Sequence, residues 1–201
     1  MAHRWQLLDR PVEQATIRSA LSGGESCGAI LFGAAGVGKT ILARTVTASL
    51  RSQLRWVACT ESSHSIPLGA MAHLVSPSPS CDPIALMASA RESLVDHGDT
   101  VSGVDDAQLL DELSVTLLHQ IAVDRAGHIL ATVRSGEPVP DAVTSLWKDG
   151  YLQPLELQPF TKQQTIALAE RVLGGTLEAS TEGPFVIALA RHSEATPIGL
   201  N

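Results

Sequence analysis

A chain of 201 residues, 44% hydrophobic and 17% charged, is long enough for one core-bearing domain with an appendage and too apolar to remain unfolded. Its formal net charge of −7 argues against a nucleic-acid-binding face on this segment, and no apolar run reaches the length of a membrane span. Three Trp, one Tyr and three Phe leave the core to aliphatic side chains.

Residues Met1 to Asp9 carry no signal-peptide pattern. After a turn at Asp9-Arg10-Pro11, Val12, Ala15, Ile17 and Leu21 fall at helical spacing, and Gly23-Gly24 ends that run. Ala29-Ile30-Leu31-Phe32 reads as a short buried parallel strand, and Ile41 to Leu50 as a helix. Arg55 to Cys59 is a second strand, Thr60 to Ser65 a polar loop, and Ile66 to Val75 a small apolar segment. Ser76-Pro77-Ser78-Pro79-Ser80 is an exposed loop, after which helical spacing runs from Pro83 to His97. Val101 to Val104 is a strand that Ser102 and Gly103 weaken, Ala107 to Ala122 one long helix, and His128 to Val133 a clear strand. Asp141 to Lys148 is a short helix and Tyr151 to Leu157 the last strand. Strands alternating with helices imply a parallel sheet covered on both faces, a three-layer αβα domain over residues 1–158. From Pro159 the pattern is helical through residue 201: Thr161 and Gln164 form a capping box, Gly174-Gly175 closes that helix, and Pro184 opens another running to Ser193.

The segment between the first strand and its helix, Gly33-Ala34-Ala35-Gly36-Val37-Gly38-Lys39-Thr40, fits G-x-x-x-x-G-K-[ST] at every specified position. This is the P-loop: backbone N–H groups of residues 33–38 turn inward on phosphates, Lys39 reaches the β- and γ-phosphates, and Thr40 ligates magnesium. The expected fold class is therefore a P-loop NTPase, with ATP and Mg2+ as cofactors and ATP or ADP as binding partners. Hydrolysis needs acidic groups at a nearby strand end, and Asp105-Asp106 stands there. Asp105 would hold the metal and Asp106 orient or deprotonate the attacking water, although either carboxylate can instead cap the following helix. Arg134, at the end of the strand Ile129 to Val133, faces the same edge and is a candidate γ-phosphate sensor, with a solvated surface arginine as the alternative. Cys27, Cys59 and Cys81 are odd in number and lack metal-ligand spacing, so they read as reduced thiols of a cytoplasmic protein.

With these residues in place, the chain resembles the AAA/STAND-type ATPase module of large LuxR-family transcriptional regulators of the maltose-regulator-like group. Leu8-Asp9-Arg10-Pro11-Val12-Glu13 is similar to the family's V-G-R-x-x-E box, which implies that Arg10 helps seat the adenine; Asp9 replaces a glycine there. Ile66-Pro67-Leu68-Gly69-Ala70 is similar to a family segment after the second strand, Val104 to Asp111 resembles its Walker B run, and Ala131 to Glu137 resembles its sensor strand. Ser193 to Leu200 resembles S-x-G-N-P-L-x-L, which implies that Pro197 lies near the nucleotide in a helical lid beginning at residue 159; Ala195-Thr196 stand in place of Gly-Asn. The resemblance also implies further C-terminal domains, leaves self-association open, and places any contact with DNA outside this segment.

The expectation is an ATP-binding, slowly hydrolysing switch module. A small P-loop phosphotransferase or ATPase enzyme and a truncated, non-switching remnant that only binds nucleotide are the alternatives. Arg125 and Lys148 are the candidates for an arginine-finger-like cation acting in trans.

Overall fold

A computed structural model of the chain describes residues 10–50, 52–74, 82–95, 100–173, 177–179 and 187–189. The chain divides into two compact units, one spanning Pro11–Pro159 and one to which Arg10 and the residues from Phe160 onward belong.

The first unit is built on a five-stranded sheet in the order β2-β3-β4-β1-β5. The strands are β1 (Gly28–Gly33), β2 (Gln53–Ala58), β3 (Thr100–Asp105), β4 (His128–Arg134) and β5 (Gln153–Glu156), and every neighbouring pair is parallel. A parallel sheet needs cover on both faces, and the side chains divide with period two. On β1, Ala29 and Leu31 join the core under α1 (Pro11–Ala20) and α2 (Lys39–Thr47), with Ile17, Leu42 and Val46. Ile30, between them, joins the opposite core with Ala90, Leu94, Leu118 and Leu146. Those four come from α4 (Pro83–Val95), α5 (Glu112–Val123) and α6 (Asp141–Lys148). On β4, Leu130 packs on the first side and Ile129, Ala131 and Val133 on the second. The expected three-layer αβα architecture is thus the one observed.

Local readings differ from the structure at four places. Ser102 and Gly103 do not weaken β3: Ser102 is buried, and the missing side chain of Gly103 is filled by the indole of Trp56 on β2, so close that a Cβ there would lie 2.1 Å from the ring. The segment after Asp106 is not one helix but a 3-10 turn, Ala107–Leu109, followed by a break at which Asp111 caps α5. The Asp111 carboxylate accepts the N–H groups of Leu113, Ser114 and Leu68, and a buried acceptor with that many donors fixes the helix start more firmly than continued helical spacing could. The polar loop holds one turn of helix, α3 (Glu61–His64), closed by reciprocal bonds between Thr60 and Ser63.

In the second unit, α7 (Lys162–Leu173) opens with the expected capping box: the Thr161 N–H donates to Gln164 at 2.8 Å, and the Gln164 N–H donates to Thr161 Oγ1 at 3.3 Å. The expected helix after Pro184 is not found at Ile187–Leu189. Those residues form β7, antiparallel to β6 (Leu177–Ala179). Backbone pairing decides it: Leu177, Glu178 and Ala179 stand opposite Leu189, Ala188 and Ile187, and backbone groups engaged in a strand ladder cannot also make helical bonds. Gly174, Gly175, the Ser76 to Ser80 loop, Cys81 and Pro197 lie outside the described residues.

Candidate functional site

The site lies at the carboxyl edge of the sheet, and strand order assembles it. Because β4 runs between β1 and β3, the ends of three adjacent strands carry the P-loop, the Thr132/Arg134 pair and the Asp105/Asp106 pair side by side. Parallel register sets Gly33 level with Arg134 and Leu31 level with Thr132.

The P-loop has the backbone needed to surround an anion. Gly36 and Gly38 take φ values of 79° and 94°, a left-handed conformation that side chains resist, and Gly38 is the residue at which α2 begins. No side chain caps that helix start and no acidic residue lies in its first turn, so its N–H dipoles remain directed at whatever anion the loop takes. Gly33 is needed for space, since a Cβ there would approach the Leu157 carbonyl oxygen to 2.8 Å. Lys39 is buried and curls over the loop, donating to the carbonyls of Gly33 at 2.8 Å and Ala34 at 3.0 Å. Burial pushes its pKa below the usual lysine range, while the carboxylates of Asp106, Asp105 and Glu137 oppose that shift.

Thr40 Oγ1 donates to Asp105 Oδ1 at 2.8 Å, and Thr132 Oγ1 donates to the same oxygen at 2.6 Å. Thr132 is fully buried and also accepts the Asp106 N–H at 3.0 Å, so a single hydroxyl from β4 orients both acidic residues. Asp106 has φ 55° and ψ 53°, a left-handed conformation that costs a non-glycine residue about 1–2 kcal/mol and turns its side chain back towards β4. There the Arg134 guanidinium grips it bidentately, Nε to Oδ1 at 3.1 Å and Nη2 to Oδ2 at 2.9 Å, with Glu137 3.5 Å from Nη1.

Of the residues expected from sequence, Gly33 to Thr40, Asp105, Asp106 and Arg134 are brought together at this edge. Neither Asp105 nor Asp106 is a helix N-cap through its side chain; Asp111 fills that role for α5. Arg134 is no free surface residue but the partner of Asp106. Arg10 belongs to the second unit, where its guanidinium lies 4.3 Å from the Phe160 ring centroid. Arg125 sits at the opposite, amino edge of the sheet and donates to the carbonyls of Gly24 and Glu25; Lys148 is exposed at the end of α6. Cys27 and Cys59 are free and buried, and burial, reinforced by Asp105, Asp106 and Asp111, pushes the Cys59 thiol up to about 12, too high to act as a thiolate.

Sequence reasoning passed over Thr132 as a site residue. Its signal was a lone hydroxyl two residues before the end of an otherwise apolar strand, where a buried polar group needs a partner.

The Thr40 hydroxyl and Asp105 carboxylate present hard oxygen donors 2.8 Å apart beside the phosphate loop. That fits magnesium, which takes one or two protein oxygens plus phosphate and water oxygens and needs no all-protein cage. Among the described residues no helix is long and apolar enough to cross a membrane.

No protein-family model matches the chain, and no curated protein matches it. Among solved structures, the Aeropyrum pernix Orc1 protein in complex with DNA is similar to it with a TM-score of 0.57 and 18% identity, over 81% of this chain and 47% of that one. Cdc6p from Pyrobaculum aerophilum is similar with a TM-score of 0.52 and 18% identity, over 76% of this chain and 44% of that one. The chain thus spans less than half the length of either neighbour. The likeness is one of fold: a five-stranded parallel sheet between helical layers.

Proposed function

We infer that the chain is an ATP-binding module that hydrolyses ATP slowly and serves as the nucleotide switch of a signal-transduction ATPase of the LuxR-regulator type, in the cytoplasm. The observation that carries the nucleotide reading is the coincidence of an anion-ready P-loop with Thr40 and Asp105 in direct contact. The lysine, the helix start and the hydroxyl-carboxylate pair converge on one edge of the sheet, at which open parallel sheets hold ligands. In this reading the N–H groups of residues 33–38 and the Lys39 ammonium bind the phosphates. Thr40 and Asp105 hold magnesium, which offsets phosphate charge when bound. Asp106 accepts a proton from water, and Arg134 senses the γ-phosphate.

Slow turnover follows from the Asp106–Arg134 pair. A carboxylate bonded through both oxygens to a guanidinium is a poor proton acceptor, and an arginine so engaged has to leave its partner before it can meet a phosphate. The cycle therefore includes a rearrangement of these two side chains, the kind of order change through which nucleotide switches work. The switch reading over that of an efficient enzyme rests on this pair. Orc1 is seen in complex with DNA, but the net charge of −7 argues against the same role for this segment.

Single-turnover hydrolysis of ATP tests the reading. The expected rate constant lies far below about 1 s⁻¹ and falls further in Asp106→Asn. Turnover at about 1 s⁻¹ or faster, abolished in Asp106→Asn, would place the chain among true ATPase enzymes instead.

A further inference from the structure

Gln108 sits two residues beyond Asp106 in the 3-10 turn and is 5% exposed. A buried amide is unfavourable unless bonded, and a side chain that merely closed the turn would bond to the turn's own backbone. Gln108 instead bonds across the site. Its Oε1 accepts the Arg134 N–H at 3.2 Å, and its Nε2 donates to Glu137 Oε2 at 3.1 Å and, at longer reach, to Asp106 Oδ1 at 3.4 Å. One neutral group thus serves the end of β4 as acceptor and two carboxylates as donor. Glutamate lacks the donor, and lysine and arginine lack the acceptor, so an amide is the side-chain end that satisfies both demands at once.

We propose that Gln108 is a positioning residue that governs how far Arg134 is available to a γ-phosphate, and through it the preference of the site for nucleoside triphosphate over diphosphate. The proposal rests on the nucleotide-binding reading above. Asp106 and Glu137 both compete for the Arg134 guanidinium. By donating to each, Gln108 satisfies part of their demand and leaves the guanidinium easier to withdraw; by accepting the Arg134 N–H, it fixes the backbone from which that side chain reaches out. With the amide removed, the two carboxylates hold Arg134 more tightly and a γ-phosphate has more to displace. ADP has no γ-phosphate and is affected less.

The test is to measure ATP and ADP dissociation constants by calorimetry for the wild type, Gln108→Met, Gln108→Glu, Arg134→Ala and the Gln108→Met/Arg134→Ala double variant. The wild type should prefer ATP. Gln108→Met should lose about tenfold in ATP affinity and clearly less in ADP affinity, the loss of one bond to a charged group. In the Arg134→Ala background the same substitution should remove no further preference, because the residue through which it acts is gone. Gln108→Glu fills the same space but adds a third carboxylate, so it should lose at least as much ATP preference; it carries the comparison if Gln108→Met does not fold. Equal losses for both nucleotides, or a loss of preference that persists in full without Arg134, would overturn the proposal and leave Gln108 a structural residue. A wild type that binds neither nucleotide would be a different result, sinking the nucleotide reading itself.

Discussion

Replacing Lys39 by alanine is expected to lower ATP affinity by about a hundredfold or more while leaving the fold intact. The ammonium would meet two phosphate groups, and at about 1.5–3 kcal/mol for a hydrogen bond to a charged group, two such contacts exceed about 3 kcal/mol. The fold should survive because Lys39 is kept charged in a buried place at a cost: desolvation already pulls its pKa down in the ligand-free protein. Removing it frees only the carbonyls of Gly33 and Ala34, beside a loop open to water. Calorimetric titration with ATP, alongside a thermal melt, checks both halves. Lost affinity with an unchanged melt is the expected pair, and unchanged affinity would remove Lys39 from the site.

The second large effect is expected within the sheet, at Gly103 on β3. Its neighbour across the strand pair is Trp56, whose ring occupies the place of the missing side chain and lies 4.6 Å from the Arg44 guanidinium. Gly103→Ala would place a methyl 2.1 Å and 2.4 Å from two ring carbons, so the indole must move and give up its stacking on Arg44. Overpacking of this kind costs about 1–3 kcal/mol, more than the roughly 0.5–1 kcal/mol gained when a strand glycine becomes alanine. The sign should therefore reverse with Trp56. Gly103→Ala is expected to destabilise the wild type and to be neutral or stabilising in a Trp56→Ala background, as read from urea midpoints of the four proteins. A destabilisation of the same size in both backgrounds would show that Trp56 is not the cause. Because Asp105 is two residues further along β3, the destabilised variant should also bind ATP–Mg less well.

These two residues also mark where the sequence was legible and where it was not. The P-loop announces itself because its chemistry is local: eight consecutive residues hold both the turn and the charge, and the flanking apolar runs identify the strand and helix it joins. The alternation of strands and helices likewise indicated the three-layer sheet. Ser102 and Gly103 misled because strand quality was judged one strand at a time. The side chain that fills the gap at Gly103 comes from Trp56, 47 positions earlier in the chain, on the neighbouring strand. The pairing of Arg134 with Asp106, the double role of Thr132 and the bridge made by Gln108 were hidden for the same reason, since all three depend on β4 lying between β1 and β3. The break before α5 was missed because apolar spacing continues through Leu109 and Leu110 while a carboxylate decides the boundary. The adenine-side role that the family resemblance implies for Arg10 and Pro197 falls in the second unit, and Pro197 lies outside the described residues.

The most direct measurement is titration of the wild-type chain with ATP in the presence and absence of magnesium. If the loop from Gly33 to Thr40, closed by Lys39 and joined to Asp105 through Thr40, is a nucleotide site, ATP binds saturably at one site per chain, more tightly with magnesium than without, and ADP competes for the same site. No saturable binding of ATP at millimolar concentration by a folded chain, with or without the metal, would contradict the account.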